Sequence, residues 1–279
     1  MFSSAEASSV VLSFSGLTVS LGRRSIFKNL QGECRRGELV ALVGENGAGK
    51  STLLHTLAGE KQFQGEVNFQ NRPLGNWNIN QLATQRAVLT QQHSKAFAFA
   101  IPDIIAMGRH QLVETRETCI KKVQQYIRLM SLENLLDRDI QQLSGGELQR
   151  VFMAKCLAQL DAFSLHNGNK LMLLDEPTSA LDLRYQHRLL QLVKAFTRQG
   201  NTAIVAIHDL NLAALYADSV LLLHEGKLQA QGDPKSVFRE STLEQVYQTP
   251  MHIFAHPTLN YPMIFSEPQE LSNEIKSFN

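Results

Sequence analysis

The sequence predicts an α/β fold with a mostly parallel sheet, an antiparallel β part and an inserted α-helical subdomain. Two runs, NKLMLLDEP (169–177) and NTAIVAIHD (201–209), are almost entirely apolar before their last residues, as is typical of parallel strands buried on both faces. A third apolar strand, residues 39–43, is followed by a glycine turn and a predicted helix. Between about 92 and 160, the apolar residues follow helical spacing instead.

The other elements are predicted from residue spacing and from turn residues. In chain order they are a strand and hairpin start at 9–20, a helix opening at Lys50 or Ser51, short strands at 65–71 and 85–91, helices over IPDIIAMGR, TRETCIKKVQQYIRLMSL and ELQRVFMAKCLAQL, a hairpin at 219–232 turning at Glu225-Gly226, and a short helix at GDPKSVF. The end, roughly 266–279, is polar, so we expect it to fray. The predicted domains are a core of 9–91 and 161–232, a helical subdomain of 92–160 and a C-terminal appendage of 233–279.

The composition indicates a globular protein and argues against several classes of function. Of the 279 residues, 43% are hydrophobic and 19% are charged, which suits a chain that buries a full core. The net charge of +1 gives no sign of a nucleic-acid-binding surface, so no nucleic-acid partner is expected. The three cysteines, Cys34, Cys119 and Cys156, are widely spaced and are expected to be reduced thiols in a cytosolic protein.

The first residues, MFSSAEASSVVLSFSG, lack the basic segment and the long apolar run of a signal peptide. No window approaches the roughly 18 consecutive apolar residues of a membrane-spanning helix. We therefore expect a soluble chain that serves a membrane only by docking on another protein.

The stretch GENGAGKS (44–51) fits the phosphate-loop pattern G-x-x-x-x-G-K-[ST] and follows a predicted strand, which is the context this pattern requires. Glycines let backbone N–H groups curl around phosphates, the lysine reaches the β- and γ-phosphates, and the serine hydroxyl ligates Mg²⁺. The alternative is a chance glycine turn. The predicted nucleotide-binding residues are Gly44, Glu45, Asn46, Gly47, Ala48, Gly49, Lys50, Ser51 and Thr52.

The stretch LMLLDEP ends a hydrophobic strand in two carboxylates. Asp175, at the carboxyl end of the strand, is placed to hold the Mg²⁺ shell, and Glu176 is placed to polarise a water against the γ-phosphate. Alone, the pair would more simply cap a strand where the chain meets solvent. Beside a phosphate loop, the catalytic interpretation is favoured.

The stretch LSGGELQR (143–150) has the layout of a second anion site, because Ser144, Gly145 and Gly146 precede a predicted helix. A helix capped by Ser144 is the simpler interpretation, but it does not explain both glycines. A chain with one phosphate loop has no obvious use for a second phosphate site of its own.

These motifs together resemble those of the ATP-binding cassette (ABC) ATPases, which contain a P-loop NTPase core. GENGAGKS, LSGGELQR, LMLLDEP, SALD (179–182) and an isolated His208 after an apolar strand occur in that family's order and approximate spacing, over about residues 9–250. The resemblance implies that two copies pair head to tail. The LSGG segment of one copy then closes on the ATP held by the other.

Three further roles are implied by the resemblance alone. Gln91 matches a glutamine that contacts the metal and the attacking water, although a glutamine at a strand end is usually a solvated surface residue. His208 matches a histidine that contacts the γ-phosphate, although a lone histidine is more often structural. Asp182 matches an aspartate that organises the seam between the two copies.

The sequence departs from the family pattern at two places. Leu21 stands where an aromatic residue usually stacks on adenine, which leaves Arg23 or Phe27 as possible substitutes. Leu148 replaces a usual glutamine in the LSGG helix and is expected to face its interior.

Within the family, the stretches IPDIIAMGRH, HDLNLAALYADSVLLLHEGKLQAQGDP and LEQVY…HPTLNYPMIF are similar to importer ATPases for iron–siderophores, cobalamin and haem. The connector AQLDAFSLHNGNK and the ending around His256 are most similar to those of the haem importers. This implies two membrane permease subunits, a periplasmic binding protein that acts indirectly, and a place on the cytoplasmic face of the inner membrane. His208, His252 and His256 are not expected to bind haem.

The stretch AFAFAIPDIIAMGRH (96–110) lies where the family receives a coupling helix from the permease, so Phe97 and Phe99 are candidates for exposed docking residues. Alternatively, both pack inside the helical subdomain.

Rival functions are import of a siderophore or cobalamin, and a soluble cassette protein of translation or DNA repair. Proteins of the latter kind usually carry two cassettes or a long coiled-coil insertion.

Overall fold

The computed structural model describes residues 10–22, 24–91, 99–164 and 169–268. Its strands are β1 Val10–Leu21, β2 Arg24–Arg35, β3 Leu39–Gly44, β4 Gln64–Phe69, β5 Arg72–Pro73, β6 Arg86–Leu89, β7 Leu171–Asp175, β8 Thr202–Ala206, β9 Ser219–His224, β10 Lys227–Gly232, β11 Met251–Ala255 and β12 Pro262–Ser266. Its helices are α1 Lys50–Leu57, α2 Ile79–Gln85, α3 Ile101–Gly108, α4 Arg116–Leu129, α5 Gly145–Gln159, α6 Leu183–Arg198, α7 Leu210–Tyr216, α8 Pro234–Val237 and α9 Glu240–Tyr247.

A six-stranded sheet in the order β10-β9-β3-β8-β7-β6 forms the centre of the fold. All its neighbouring strands pair in parallel except the edge pair β10 and β9, which is antiparallel. This confirms the predicted fold class. Because the parallel strands β3, β6, β7 and β8 end at the same edge, the residues that follow them meet there.

A second, antiparallel sheet has the order β2-β1-β4-β5. Its strands β1 and β4 contribute buried apolar residues to a cluster shared with α1 and one face of the parallel sheet. The predicted antiparallel β part is therefore a separate sheet that packs over the phosphate-loop helix.

The core lies on both faces of the parallel sheet. Successive residues of β3 alternate between two clusters: Leu39, Ala41 and Val43 face the side of α3 to α6, while Val40 and Leu42 face α1 and the antiparallel sheet. All five are 0% exposed. Burying a leucine fully stabilises a fold by about 1.5–3 kcal/mol, so a strand buried on both faces is a firm base for the loop that follows it.

Three elements differ from the prediction. Residues 79–85 form helix α2, capped by Asn78, whose side chain accepts from the N–H groups of Asn80 and Gln81. The strand predicted at 85–91 follows this helix as β6, Arg86–Leu89. In the predicted appendage, β11 and β12 form an unpredicted hairpin, and the Glu267 N–H donates to the Pro250 carbonyl at 3.0 Å. Most of the end that we expected to fray, residues 269–279, lies outside the described residues.

In the parts of the chain that the structure describes, no helix is both long enough and apolar enough to cross a membrane.

Candidate active site

The phosphate loop joins β3 to α1 and needs glycine for steric reasons. Gly44 has φ +149°, and a Cβ there would lie 2.2 Å from the Leu223 carbonyl oxygen. Gly49 has φ +103°, and its Cβ would lie 2.7 Å from the Phe27 ring. Positive φ angles of this size are strained for any residue with a side chain, so the chain can make this turn only with glycine.

Lys50 opens α1 and curls back over the loop. Its Nζ donates to the carbonyl oxygens of Gly44 and Glu45 at 2.8 and 3.1 Å, and the residue is only 6% exposed. Burial lowers the pKa of the ammonium, and the nearby carboxylates of Glu176 and Asp175 oppose that shift. A buried ammonium ion held by neutral carbonyls is well placed to transfer its hydrogen bonds to a phosphate.

Asp175 is the last residue of β7 and is 3% exposed. The Ser51 side chain hydrogen-bonds to its carboxylate, yet Oδ1 has no hydrogen-bond partner among the described residues. Burial raises the pKa of this carboxyl, as does the neighbouring Glu176. A buried carboxylate oxygen without a partner, beside a hydroxyl, fits the oxygen ligands that Mg²⁺ prefers.

The three residues for which catalytic roles were predicted, Glu176, Gln91 and His208, meet at the Glu176 carboxylate. Its Oε2 accepts a hydrogen bond from Gln91 Nε2 at 2.6 Å, and its Oε1 pairs with His208 Nε2. Gln91 follows β6, Glu176 follows β7 and His208 follows β8, so the order of the strands brings them together. Glu176 also has φ +49°, a conformation that costs a non-glycine residue about 1–3 kcal/mol and is typical of functional sites.

The LSGG segment forms the N-terminus of α5. Ser144 caps the helix, with its Oγ accepting from the Glu147 N–H at 3.3 Å, and the Glu147 carboxylate accepts from the Ser144 N–H at 2.8 Å. A Cβ on Gly146 would lie 2.6 Å from the Ala180 carbonyl oxygen, whereas one on Gly145 would make only ordinary contact. Packing within the chain therefore explains the cap and the second glycine, but not the first.

Asp182 caps the next helix, α6, because its Oδ1 accepts a hydrogen bond from the Tyr185 N–H at 3.0 Å. Ser179 and Ala180, in the turn before it, are exposed, whereas Leu181 is buried. Asp182 therefore holds an exposed turn that lies directly against the start of α5 at Ala180.

Comparison with known proteins decides the family. The profile of the ABC transporter family matches residues 27–179. This chain belongs to that family. It is 42% identical over 90% of its length to the hemin import ATP-binding protein HmuV of Idiomarina loihiensis, covering 96% of that protein, and 40% identical over 89% to the HmuV protein of Streptomyces coelicolor, covering 87% of it. It is thus an ATP-hydrolysing ABC transporter subunit.

Solved structures agree with this assignment. The inward-facing conformation of a metal-chelate type ABC transporter is similar with a TM-score of 0.75 and 25% identity, over 93% of this chain and 98% of that one. A nucleotide-free ATP-binding cassette from an ABC transporter is similar with a TM-score of 0.68 and 19% identity, over 86% and 96% of the two chains. The latter supports the fold alone.

The structure corrects one expectation about the adenine side of this ABC ATPase. Phe27 cannot stack on a base, because it is 0% exposed and packs against Gly49. Leu21 is 47% exposed, and Arg23 lies outside the described residues. Leu148 is 6% exposed, which confirms that it faces the interior.

The predicted docking region is described only in part. Phe97 lies outside the described residues, whereas Phe99 is 40% exposed and so is not fully packed inside the helical subdomain. Met107, Val113 and Ile120 are also exposed, although none of them was singled out from the sequence.

Tyr247, at the end of α9, is a further residue that the sequence did not reveal. The backbone of Gly44 hydrogen-bonds to its side chain, and burial raises the pKa of the hydroxyl to about 12. The two residues are so far apart in the chain that no local pattern could have linked them.

Proposed function

We propose that this chain is the ATPase subunit of an importer that moves haem across the bacterial inner membrane. The curated relatives quoted above are named hemin import proteins and match nearly the whole chain, which supports haem as the cargo. In this proposal two copies work beneath two permease subunits on the cytoplasmic face. A periplasmic binding protein delivers the haem to the permease, so this chain itself needs no haem pocket.

The observation that carries the hydrolytic role is the Glu176 carboxylate held between Gln91 and His208, beside the phosphate loop. Glu176 acts as the general base that takes a proton from the attacking water. Gln91 and His208 fix its carboxylate and orient that water and the γ-phosphate. Lys50 stabilises the charge that develops on the phosphoryl oxygens.

The oxygens of Ser51 and Asp175, with Gln91 nearby, would hold Mg²⁺. Bound there, the ion would neutralise charge on the β- and γ-phosphate oxygens during transfer. Asp175 suits this role because one of its oxygens is buried without a partner among the described residues.

The second copy supplies what one chain lacks. Residues 144–146 and the N-terminus of α5 offer donors to the γ-phosphate bound by the partner, while Asp182 lies at the seam. Capping does not prevent this, because the Ser144 hydroxyl can accept from the Glu147 N–H and still donate its own hydrogen to phosphate. Gly145 is exposed, which leaves room for that approach.

The division into domains follows the same logic. We propose that 9–91 and 161–232 form the nucleotide-binding core, that 92–160 form the helical subdomain carrying the LSGG segment, and that 233–279 form the appendage. The apolar residues of α3, α4 and α5 pack with one face of the parallel sheet in a single cluster. A movement of the helical subdomain would therefore be transmitted to the core through these contacts.

A transport assay tests the proposal. The tagged chain is purified from membranes of its source together with the permease that accompanies it, and the complex is reconstituted in vesicles with its binding protein. We expect ATP-dependent uptake of haem, and no uptake of a ferric siderophore or of cobalamin. Uptake of either chelate in preference to haem would refute the cargo, and failure to recover any membrane protein would refute the importer.

A further inference from the structure

Arg150 connects the LSGG helix to its surroundings from a buried position. The residue is 8% exposed, and its Nη1 donates to the carbonyl oxygens of Met130 and Ser131 at 3.0 and 2.6 Å. These carbonyls follow the C-terminal end of α4, where a helix presents unsatisfied oxygens and favours a cation. The guanidinium is therefore fixed in place by α4.

The same guanidinium lies over the ring of Tyr185, with its central carbon 4.4 Å from the ring centroid. Tyr185 belongs to α6, and its N–H is the one that Asp182 caps. Arg188, one turn further along α6, donates to the Leu129 carbonyl at 2.8 Å. Helices α5 and α6 are thus joined through arginine side chains and the end of α4.

A second contact joins the start of α5 to the turn that precedes α6. A Cβ on Gly146 would lie 2.6 Å from the Ala180 carbonyl oxygen and 3.5 Å from a Leu181 methyl. The start of α5 therefore rests directly on the turn that Asp182 ends. The Arg150–Tyr185 contact and the Gly146–Ala180 contact together set the position of residues 144–146 relative to Asp182.

We propose that Tyr185 is a positioning residue that holds residues 144–146 and Asp182 as one rigid surface for the partner copy's ATP. This inference rests on the proposed function, because it requires a second copy. The Tyr185 ring acts on Arg150 of α5, while its backbone N–H, which any residue but proline supplies, holds Asp182 at the start of α6. Its loss should impair the site completed in the partner and spare the site that its own phosphate loop forms.

The first experiment measures ATP hydrolysis by Tyr185→Leu, which removes the ring, and by Tyr185→Phe, which keeps it. We expect Tyr185→Leu to lower kcat about tenfold or more, to raise the protein concentration needed for half-maximal activity, and to change KM for ATP less than threefold. Tyr185→Phe should stay within twofold of the parent. The matched control is Tyr216→Leu on α7, which should leave both kinetic constants within twofold.

Mixing two impaired variants distinguishes action in the partner's site from general damage. Tyr185→Leu has an intact phosphate loop, and Lys50→Ala has an intact partner-facing surface, so each mixed pair contains one complete site. We expect the mixture to hydrolyse ATP faster than the sum of its parts, as should a control mixture of Lys50→Ala with Ser144→Arg.

The two mixtures distinguish a failure of the inference about Tyr185 from a failure of the proposed function. If the control mixture gains activity and the Tyr185→Leu mixture does not, Tyr185 acts in its own copy and the inference is wrong. If neither mixture gains activity, sites shared between copies are wrong, and the proposed function falls together with the inference. Should Tyr185→Leu not fold, Tyr185→Met replaces it, because methionine fills a similar space without a ring.

Discussion

Two groups of charged side chains in the described parts of the chain differ in how completely they are paired. One is the Arg109 cluster, which we define as Arg109, Glu114 and Asp161. The Arg109 side chain is 2% exposed, and it donates to both Glu114 oxygens at 2.7 and 2.5 Å and to Asp161 at 3.1 Å. Burial opposes the charged guanidinium, but these partners outweigh it and raise its pKa.

The other group is the catalytic cluster, which we define as Lys50, Asp175 and Glu176. Here burial lowers the pKa of Lys50 and raises that of Asp175, so each charged form is destabilised. Glu114, by contrast, has a lowered pKa, chiefly because of the hydrogen bond from Arg109. A charge group completed by its own chain supports the fold, whereas one left incomplete is prepared for a ligand.

The largest effect should come from Glu176→Gln in the catalytic cluster. The amide keeps the shape of the side chain but cannot take a proton, so we expect turnover to fall by about 10²–10⁴-fold while ATP still binds. Phosphate release and equilibrium nucleotide binding measure the two effects. The matched control is Glu114→Gln in the Arg109 cluster, which should keep turnover within twofold. Normal hydrolysis by Glu176→Gln would remove Glu176 from its role.

The next effect should come from Arg109→Met and concern stability rather than activity. Breaking a fully buried ion pair typically costs about 3–5 kcal/mol in the free energy of unfolding. Because Glu114 and Asp161 are partly exposed and Asp161 keeps its contact with Lys122, we expect a loss at the low end of that range. Urea unfolding measures this loss, and ATP turnover per folded molecule should remain at the parent's level. A loss of stability below about 1 kcal/mol would show that the cluster is not structural.

Much of the fold could be predicted because local patterns carry it. The runs that became β7 and β8 are apolar on both faces, and only a sheet covered on both sides buries such strands. The phosphate loop was predictable because its glycines are required by backbone geometry within a few residues. Gln91 and His208 could be placed only by resemblance, since strand order, and not spacing, brings them to Glu176.

What the sequence did not reveal depends on contacts between distant segments. Phe27 looked available for stacking, because no local pattern shows that it lies buried against Gly49. Helix α2 was missed because its seven residues include only three apolar ones, and its Asn78 cap went unrecognised. The Arg109 cluster joins the α3–α4 loop to the end of α5, so neither segment signals it alone.

The smallest effect on stability, and the one that most sharpens the comparison, should come from Asp175→Asn. The pKa of the Asp175 carboxyl is raised in the folded protein, so above its ordinary pKa of 3.8 the charged carboxylate lowers the stability of the fold. This penalty disappears at a pH low enough for the carboxyl to be protonated in both the folded and the unfolded chain. An amide avoids the penalty. We therefore expect the variant, without nucleotide or metal, to be more stable than the parent at pH 7.

The size of that difference should depend on pH, and its sign should depend on ligand. As pH falls toward 3.8, the advantage of Asp175→Asn should shrink, because the parent carboxyl gains its proton in the folded state. With Mg²⁺ and ATP present, the parent should regain the advantage, because a ligand that binds only the folded state stabilises it. Urea unfolding across pH, with and without Mg²⁺-ATP, measures both. A ligand-free variant less stable than the parent at pH 7 would mean that the Asp175 charge is already compensated within the chain, so that the contrast with the Arg109 cluster disappears.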